Sequence, residues 1–223
     1  MFMRSGAAWG QQAKLVGTEA IGSQPQQGGS VAVSGDGNTA IVGGRADDDV
    51  GAAWVYTRSG GVWSQQAKLV GTGAIGMLSP QQGGSVALSG DGNTAIVGAP
   101  IDNNQIGAAW VFTRSGEAWS QQQKLVGTGV LSPPPGAGQG SSVALSADAN
   151  TVLVGGPEDN NGIGAAWVYT QPVFAGTPGY SNCYGKSTSA LTQQYGGLGN
   201  AAAALGYPSA KALQTAIVGF CEG

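Results

Sequence analysis

Short apolar runs alternate along the chain with turns rich in glycine, serine, asparagine and aspartate, and one such pattern occurs three times. Its copies are GGSVAVSGDGNTAIVGGR, GGSVALSGDGNTAIVGAP and GSSVALSADANTVLVGGP, at residues 28–45, 83–100 and 140–157. In each copy two apolar, β-branched runs flank a Gly-Asp-Gly turn or its Ala-Asp-Ala variant, which is typical of a β-hairpin. The sequence therefore predicts three copies of one hairpin.

A second element extends each copy. GAAWVYTRSGGVWSQQAKLVGTG begins at Gly51 and GAAWVFTRSGEAWSQQQKLVGTG at Gly107, and Trp54, Trp110 and Trp167 are spaced 56 and 57 residues apart. One repeat of about 56 residues is thus predicted to form four strands: SVALS, NTAIVGAP, GAAWVFT and WSQQAKLVG.

The first three predicted strands are apolar at consecutive positions, whereas an antiparallel strand with one face in water alternates. Blades that stack face to face cover their inner strands on both sides. The mixed QQAKLV run fits an outer edge strand. The predicted fold is mainly β, a β-propeller-like array of about three four-stranded blades followed by a small α-helical tail. A twisted sandwich and a β-solenoid are the alternatives.

The pair of elements GSVALSGDGNTAIVGAP and GAAWVFTRSG resembles the FG-GAP repeat, the blade unit of integrin-α-type propellers, and in particular its bacterial variety. The resemblance covers about residues 1–170, and its most specific part is IVGAP at Ile96–Pro100. It implies a propeller of about seven blades that serves in adhesion and in protein or ligand recognition.

This chain departs from the family at the calcium loop. Many FG-GAP blades carry a D-x-D-x-D-G insertion between the first and second strands, but here the connection is only Ser89–Asn93, or Ser34–Asn38 in the first copy. One aspartate cannot supply the roughly six to eight oxygen ligands that calcium takes. No cofactor is therefore expected, and the resemblance does not carry calcium over.

The predicted strands do not divide into complete four-stranded repeats at the two ends of the pattern. Residues 9–17 align with a fourth strand, two complete repeats follow, and the last repeat has three strands. Together these make three blades, whereas known rings hold about four to eight. One hypothesis is a homodimer that completes a six-bladed ring; the alternative is a truncated propeller.

Three regions are predicted along the chain: FG-GAP-like blades at 1–171, a linker at 172–180 and a helical tail at 181–223. The tail holds the only two cysteines, Cys183 and Cys221. A disulfide between them would pin this small module and would indicate an oxidising compartment, while two buried free thiols are the alternative. The tail resembles a cysteine-pinned segment of secreted α-proteobacterial proteins.

Within the tail, helices are expected from Ser181 or Asn182 to about Tyr195, from Asn200 to near Gly206, and after Pro208 and Ser209.

Charge and hydropathy exclude several classes of protein. The chain has 12 acidic and 9 basic residues and no histidine, so no basic surface for nucleic acid is expected. No apolar run is long enough for a membrane span. No signal peptide is visible, and a truncated N-terminus is one interpretation of that; the cysteines and the resemblance favour an extracellular or periplasmic location.

The connections between the second and third strands vary most between repeats: RADDDV at 45–50, IDNNQI at 101–106 and PEDNNGI at 157–163. Variable polar loops on one side of a repeat protein commonly bind ligands. The candidate ligand-contacting residues are Asp102, Asn103, Asn104, Glu158, Asp159 and Asn160.

Asp47, Asp48 and Asp49 offer oxygen ligands for a cation, but a solvated turn is the favoured interpretation. Replacing them by asparagine is therefore expected to leave stability nearly unchanged.

Other repeated polar residues are expected to be structural. Asp36, Asp91 and Asp148 occupy the hairpin turns, where an aspartate usually bonds the turn backbone. Arg4, Arg58 and Arg114, with Lys14, Lys68 and Lys124, are expected to be solvated residues of the rim.

No histidine or cysteine lies in the repeats, so no catalytic group is expected and the chain is predicted not to be an enzyme. The predicted function is extracellular or cell-surface recognition of a protein or glycan through the blade loops. The alternatives are a propeller fragment with a structural role and, third, a propeller hydrolase or lyase.

Overall fold

The computed structural model describes residues 2–5, 8–131, 136–170, 181–205 and 207–222, which form two units, Met1–Val168 and Tyr169–Gly223. The first unit is built of antiparallel β-hairpins. Its strands are β1 (Phe2–Ser5), β2 (Ala8–Gln11), β3 (Ser30–Val33), β4 (Thr39–Gly44), β5 (Ala52–Ser59), β6 (Val62–Leu69), β7 (Ser85–Leu88), β8 (Thr94–Ala99), β9 (Ala108–Ser115), β10 (Ala118–Leu125), β11 (Ser142–Leu145), β12 (Thr151–Gly156) and β13 (Ala165–Thr170).

These strands form four sheets in which chain neighbours pair. Strands β3–β6 make blade 1, β7–β10 make blade 2 and β11–β13 make blade 3, while β1 and β2 form a separate hairpin. The tight turn between the first two strands of a blade needs a left-handed residue, and Gly37 and Gly92 supply it at φ 69°. The consecutive apolar runs of the sequence thus become strands of four-stranded meanders.

The blades stack through their inner strands, because β7 of blade 2 contacts both β3 and β11. Both faces of blade 2 are covered, and every residue of β7 and β8 is buried. Backbone bonds also link the hairpins: the N–H of Gly35 donates to Gly90 O, and that of Gly90 to Ala147 O, each at 2.8 Å. The predicted β-propeller-like array of blades is therefore confirmed.

A glutamine–glycine clasp closes each connection from one blade to the next. The Gln82 side chain accepts the Gly71 N–H at 2.5 Å and donates to the Gly71 carbonyl at 2.8 Å. Gly71 lies so close to the Trp110 ring that a Cβ there would be 2.4 Å from Cδ1. Gln27 with Gly17 and Gln139 with Gly127 repeat the arrangement.

The fourth strand of the first partial repeat is shorter than predicted. The sequence predicts strand at 9–17, but β2 ends at Gln11, whereas the equivalent strands β6 and β10 continue to Leu69 and Leu125. Their second halves pair with the third strand of the same blade. The predicted linker at 172–180 lies outside the described residues.

Two short helices of the first unit, α1 (Asp102–Gln105) and α2 (Asp159–Gly162), lie between strands. The second unit is a helical module with helices α3 (Cys183–Tyr195), α4 (Leu198–Ala204) and α5 (Ala210–Glu222). Leu191, Leu213 and Ile217 are buried in its core. A disulfide joins Cys183 to Cys221, so the disulfide rather than two free thiols is correct. In the part of the chain that the structure describes, no helix combines the length and hydropathy needed to cross a bilayer.

One helix boundary in the tail was predicted wrongly. The α4 helix begins at Leu198, after Gly197, and Asn200 lies inside it. The Asn200 amide donates instead to the Tyr195 carbonyl at 3.1 Å and so bonds the end of α3. Ser209 caps α5 as expected, since its hydroxyl accepts the Ala212 N–H.

Candidate functional site

The candidate site is the rim formed by the connections between the second and third strands of each blade, here called the loop rim. The three connections carry the 3₁₀ turn Asp47–Asp49, helix α1 (Asp102–Gln105) and helix α2 (Asp159–Gly162). Because strands in a meander alternate in direction, the hairpin turns at residues 34–38, 89–93 and 146–150 lie at the opposite end, here called the hairpin rim.

One buried aspartate anchors each connection of the loop rim. The Asp47 carboxylate accepts the Ile21 N–H at 2.6 Å, and Asp102 accepts the Ile75 N–H at 2.8 Å. Asp159 accepts the Leu131 N–H at 2.9 Å. Each aspartate thereby ties its loop to the segment that enters the blade, so the three connections share one local structure.

A lysine from the fourth strand pairs with this aspartate. Lys68 lies 2.5 Å from Asp47, and Lys124 lies 2.6 Å from Asp102. The aspartates are almost completely buried, and each ammonium also approaches the indole ring of the third strand. The expectation that Lys68 and Lys124 are solvated rim residues is therefore wrong.

The same pairs correct the interpretation of the acidic loop. Asp47 is a buried ion-pair partner rather than part of a solvated turn, while Asp48 and Asp49 are exposed. The expected neutrality of the Asp47→Asn change is wrong, because a neutral amide would leave the partly buried ammonium of Lys68 without its counter-charge. Among the described residues, no three metal-ligating side chains converge.

The exposed part of each loop is a tip of left-handed residues. Asn103 and Asn104 have φ of 52° and 53°, and Asn160 and Asn161 have φ of 51° and 57°. Asp48 and Asp49 occupy the corresponding tip in blade 1 at φ of 46° and 54°. Asparagine and aspartate tolerate this conformation better than other non-glycine residues.

The candidate ligand residues divide into two groups on this surface. Asp102 and Asp159 are buried anchors, whereas Asn103, Asn104, Glu158 and Asn160 are at least partly accessible. Sequence reasoning missed Asn161, which is exposed at the tip of α2. The Asp-Asn-Asn triplet shared by α1 and α2 is the signal that would have separated the anchor from the tip.

On the hairpin rim, a serine–aspartate–asparagine set bonds each turn. Asp36 accepts the Ser34 hydroxyl at 2.6 Å and the Asn38 backbone N–H at 2.9 Å. These bonds, with that of Ser34 the largest cause, lower the pKa of Asp36 to about 2. Asp91 and Asp148 form the same sets and their pKa is also lowered.

The arginines of this rim are also held in place. The Arg114 guanidinium donates to Asn93 at 3.0 Å and to Gln66 of the preceding blade at 3.0 Å. It lies 5.4 Å from the centre of the Trp119 ring. Arg58 makes the matching contacts with Asn38 and Trp63, so both arginines are structural rather than solvated.

Comparison with known proteins places the chain only by its architecture. No protein-family model and no curated protein matches the sequence. Solved structures that are similar in fold include the hydrazine synthase of Kuenenia stuttgartiensis, at 15% identity and a TM-score of 0.44, over 71% of this chain and 36% of that one. The periplasmic gluconolactonase PpgL of Pseudomonas aeruginosa matches at 20% identity and a TM-score of 0.43, over 63% of this chain and 38% of that one.

TolB from Acinetobacter baumannii is also similar, at 13% identity and a TM-score of 0.36, over 66% of this chain and 32% of that one. The chain spans less than half the length of each of these three structures.

The prediction that the chain is not an enzyme requires correction. One of the similar structures is named a gluconolactonase, which is an enzyme.

Proposed function

We propose that this protein is an FG-GAP-type recognition module that acts outside the cell or in the periplasm and binds a protein or glycan through its loop rim. The FG-GAP-like pattern of the repeats supports the family, and the Cys183–Cys221 disulfide supports an oxidising compartment. Adhesion to a surface that carries the ligand is the corresponding biological role.

The observation that carries this proposal is the division of each loop into a constant anchor and a variable tip. Asp47, Asp102 and Asp159 hold the same backbone geometry, while the tip beside them carries Asp48 and Asp49 in blade 1 and an Asn-Asn pair in blades 2 and 3. Structural turns need no such variation. Recognition loops do, because different side chains on one frame contact different parts of a ligand.

The chemistry of the tips indicates the kind of ligand. The amide groups of Asn103, Asn104, Asn160 and Asn161 both donate and accept hydrogen bonds, which suits sugar hydroxyls and peptide groups. The buried anchors hold the tips before the ligand arrives, so less conformational entropy is lost on binding. The carboxylates of Asp48 and Asp49 disfavour a strongly anionic ligand at blade 1.

Binding to arrays of glycans and immobilised extracellular proteins tests the proposal. The tip variants are Asn103→Gly with Asn104→Gly, and Asn160→Gly with Asn161→Gly, since glycine accepts the left-handed backbone and removes only the amides. We expect binding to weaken at least about tenfold in the tip variants. The control Glu117→Gln, exposed in the turn between β9 and β10 at the opposite rim, should bind normally.

Equal binding by the wild-type chain and both tip variants would refute the role of the loop rim. Absence of binding across the arrays would refute the recognition function.

We also propose that the working form is a homodimer whose six blades close one ring, within the range of about four to eight blades that known rings hold.

A further inference from the structure

The two outer blades each leave one apolar face exposed. On blade 1, Val31 and Val33 are 67% and 50% exposed, although their equivalents in blade 2, Val86 and Leu88, are 9% exposed. On blade 3, Leu153 and Val168 are exposed, although equivalent Ile96 of blade 2 is fully buried. The exposure follows from position in the stack and not from residue type.

These two faces match each other through the repeat. Within the chain, Val86 and Leu88 share one core cluster with Ile41 and Val55 of blade 1. Ile41 and Val55 are the repeat equivalents of Leu153 and Val168, and Val86 and Leu88 are the equivalents of Val31 and Val33. The exposed face of blade 3 in one copy therefore fits the exposed face of blade 1 in another.

An exposed tryptophan extends the match to hydrogen bonds. Trp63 donates its indole N–H to Gln12, and Trp119 donates to Gln66, each at 2.9 Å. Gln12 and Gln66 occupy the same repeat position, and Gln122 on β10 is the next glutamine at that position. The repeat equivalent of these tryptophans in the first strand pair is Trp9, which is 67% exposed.

Backbone contacts between blades continue the series. The Ser30 hydroxyl donates to Gly83 O at 2.8 Å, and that of Ser85 to Gly140 O at 2.7 Å. Ser142 on blade 3 is the repeat equivalent of these two donor serines. Gly28 on blade 1 is the repeat equivalent of the acceptor glycines Gly83 and Gly140. Ser142 is exposed, in contrast to the buried Ser85.

The sheet edges are complementary as well. Strand β13 is the outer strand of blade 3 in the described part of the chain, and residues 12–15 lie outside any strand. In blades 1 and 2, the equivalents of residues 12–15 pair with the third strand, with Lys68 opposite Trp54 and Lys124 opposite Trp110.

From these matches we propose that two copies of this chain exchange their N-terminal strands. Residues 12–15 of one copy pair with β13 of the other and complete its blade 3, and the exchange is reciprocal, so that six blades close. This names the junction of the proposed homodimer and rests on that proposal, but it is independent of the ligand that the loop rim binds.

Three side-chain contacts define the junction. Lys14 of one copy pairs with Asp159 and lies over Trp167 of the other, as Lys124 does with Asp102 and Trp110. Trp9 of one copy donates its indole N–H to Gln122 of the other. Val31 and Val33 of one copy cover Leu153 and Val168 of the other. Because the exchange is reciprocal, the exposed apolar faces of both copies are removed from water.

A cysteine cross-link tests the strand register. Val55 pairs with Ala67 and Val111 with Gln123, so the repeat places Val168 of one copy opposite Ala13 of the other. The variant Ala13→Cys with Val168→Cys should form an intermolecular disulfide, since both native cysteines are already joined. We expect a band at twice the 22.0 kDa chain mass on a non-reducing gel. The control pair Ala13→Cys with Ala165→Cys is out of register and should stay at the chain mass.

Light scattering after size exclusion tests the association itself. The wild-type chain should be a dimer, and Lys14→Glu should weaken association at least about tenfold by placing like charges together. Lys186→Glu, an equal charge change on the tail, should have no effect. Trp9→Phe, which keeps an aromatic ring but replaces the indole and its N–H, should weaken association with the blades still folded.

Three results overturn the proposal. A wild-type monomer at high concentration refutes both the homodimer and its junction. A dimer in which only the out-of-register pair cross-links refutes the junction and leaves the homodimer standing. A ladder of higher oligomers from the in-register variant refutes the closed exchange between two copies.

Discussion

Lys124 places its ammonium nitrogen 2.6 Å from a carboxylate oxygen of Asp102 and 5.0 Å from the centre of the Trp110 ring. The lysine belongs to the fourth strand of blade 2 and the aspartate to the connection between its second and third strands. One buried ion pair thus fixes the loop rim to the outer strand of the same blade. Lys68, Asp47 and Trp54 repeat the arrangement in blade 1.

Removal of this lysine should be strongly destabilising. The change Lys124→Met leaves Asp102 buried without its counter-charge, which costs about 3–5 kcal/mol of the free energy of unfolding. Denaturant unfolding followed by tryptophan fluorescence measures it, because all six tryptophans lie in the repeats. The double variant Lys124→Met with Asp102→Leu should recover part of the loss.

The control for this ion pair is Lys186→Met, which removes an exposed lysine of the tail and should leave the tryptophan transition in place. A loss of less than about 1 kcal/mol in Lys124→Met would place the pair among weak surface ion pairs and contradict the burial argument.

The glycine against the tryptophan ring should tolerate no side chain. In Gly71→Ala the new Cβ would lie 2.4 Å from the Trp110 ring, so the ring or the backbone must move. We expect a loss of about 1–3 kcal/mol or more in the same unfolding experiment. Gly10→Ala is the matched control, since a Cβ there meets nothing within 4 Å. Equal stability of both variants would show that the ring moves freely.

A buried tyrosine hydroxyl offers a stabilising change. The Tyr56 hydroxyl is buried without a hydrogen-bond partner among the described residues, and burial raises its pKa. Blade 2 has Phe112 at the equivalent position. Because an unsatisfied buried hydroxyl carries a desolvation cost, Tyr56→Phe should raise stability by about 1 kcal/mol. A lower melting temperature in this variant would reveal a partner for the hydroxyl.

The hairpin aspartates should make stability depend on pH in the acid range. Asp36 has its pKa lowered from 3.8 to about 2 by the Ser34 and Asn38 bonds. A lowered folded-state pKa contributes stability above the unfolded value, and this is lost as the pH falls from about 4 to about 2. The melting temperature of wild type should therefore fall across this window.

A triple variant of the hairpin aspartates isolates this effect. Changing Asp36, Asp91 and Asp148 to asparagine should lower the melting temperature at neutral pH and flatten its fall in acid. The control Asp48→Asn with Asp49→Asn removes exposed charge from the other rim and should keep the wild-type profile. An unchanged acid profile in the triple variant would assign the loss of stability to other carboxylates.

The disulfide should stabilise the tail alone. Cys183 and Cys221 are 38 residues apart, a loop for which chain entropy gives about 4 kcal/mol. In Cys183→Ser with Cys221→Ser we expect loss of the helical circular-dichroism signal at a lower temperature. The tryptophan transition of the repeats should remain in place. Loss of both signals together would show that the two units unfold cooperatively.

Much of the fold could be read from the local pattern. A hairpin depends on neighbouring residues, namely two apolar runs and a turn that permits a left-handed residue such as Gly37, so it can be predicted without knowledge of distant contacts. The three-fold copy of this pattern then indicates stacked blades. The structural role of Asp36 could be predicted in the same way, because its hydrogen-bond partners Ser34 and Asn38 lie only two residues away.

The candidate site was only partly predictable. The loops were identified from their variation, but Asp102 and Asn103 are adjacent in sequence and differ in role, because only Asp102 points inward to Lys124. In the run Asp47–Asp49 nothing in the local sequence distinguishes the acidic anchor from the acidic tip, whereas the Asp-Asn-Asn triplets of the other two loops do carry that signal. The prediction that a helix begins at Asn200 was wrong for a related reason, since the Asn200 side-chain amide bonds the end of the preceding helix instead of capping its own helix.

By itself the sequence determined the repeat, the strands and their tight turns, since these depend on propensity and spacing over a few residues. Only the tertiary structure decided which charges are buried and which apolar residues remain exposed. Lys14 and Lys124 occupy the same repeat position, yet Lys14 is exposed and Lys124 is mostly enclosed beside the buried Asp102. The difference arises because β10 pairs with β9 of its own blade, which places Lys124 beside Asp102, whereas residues 12–15 pair with no third strand among the described residues.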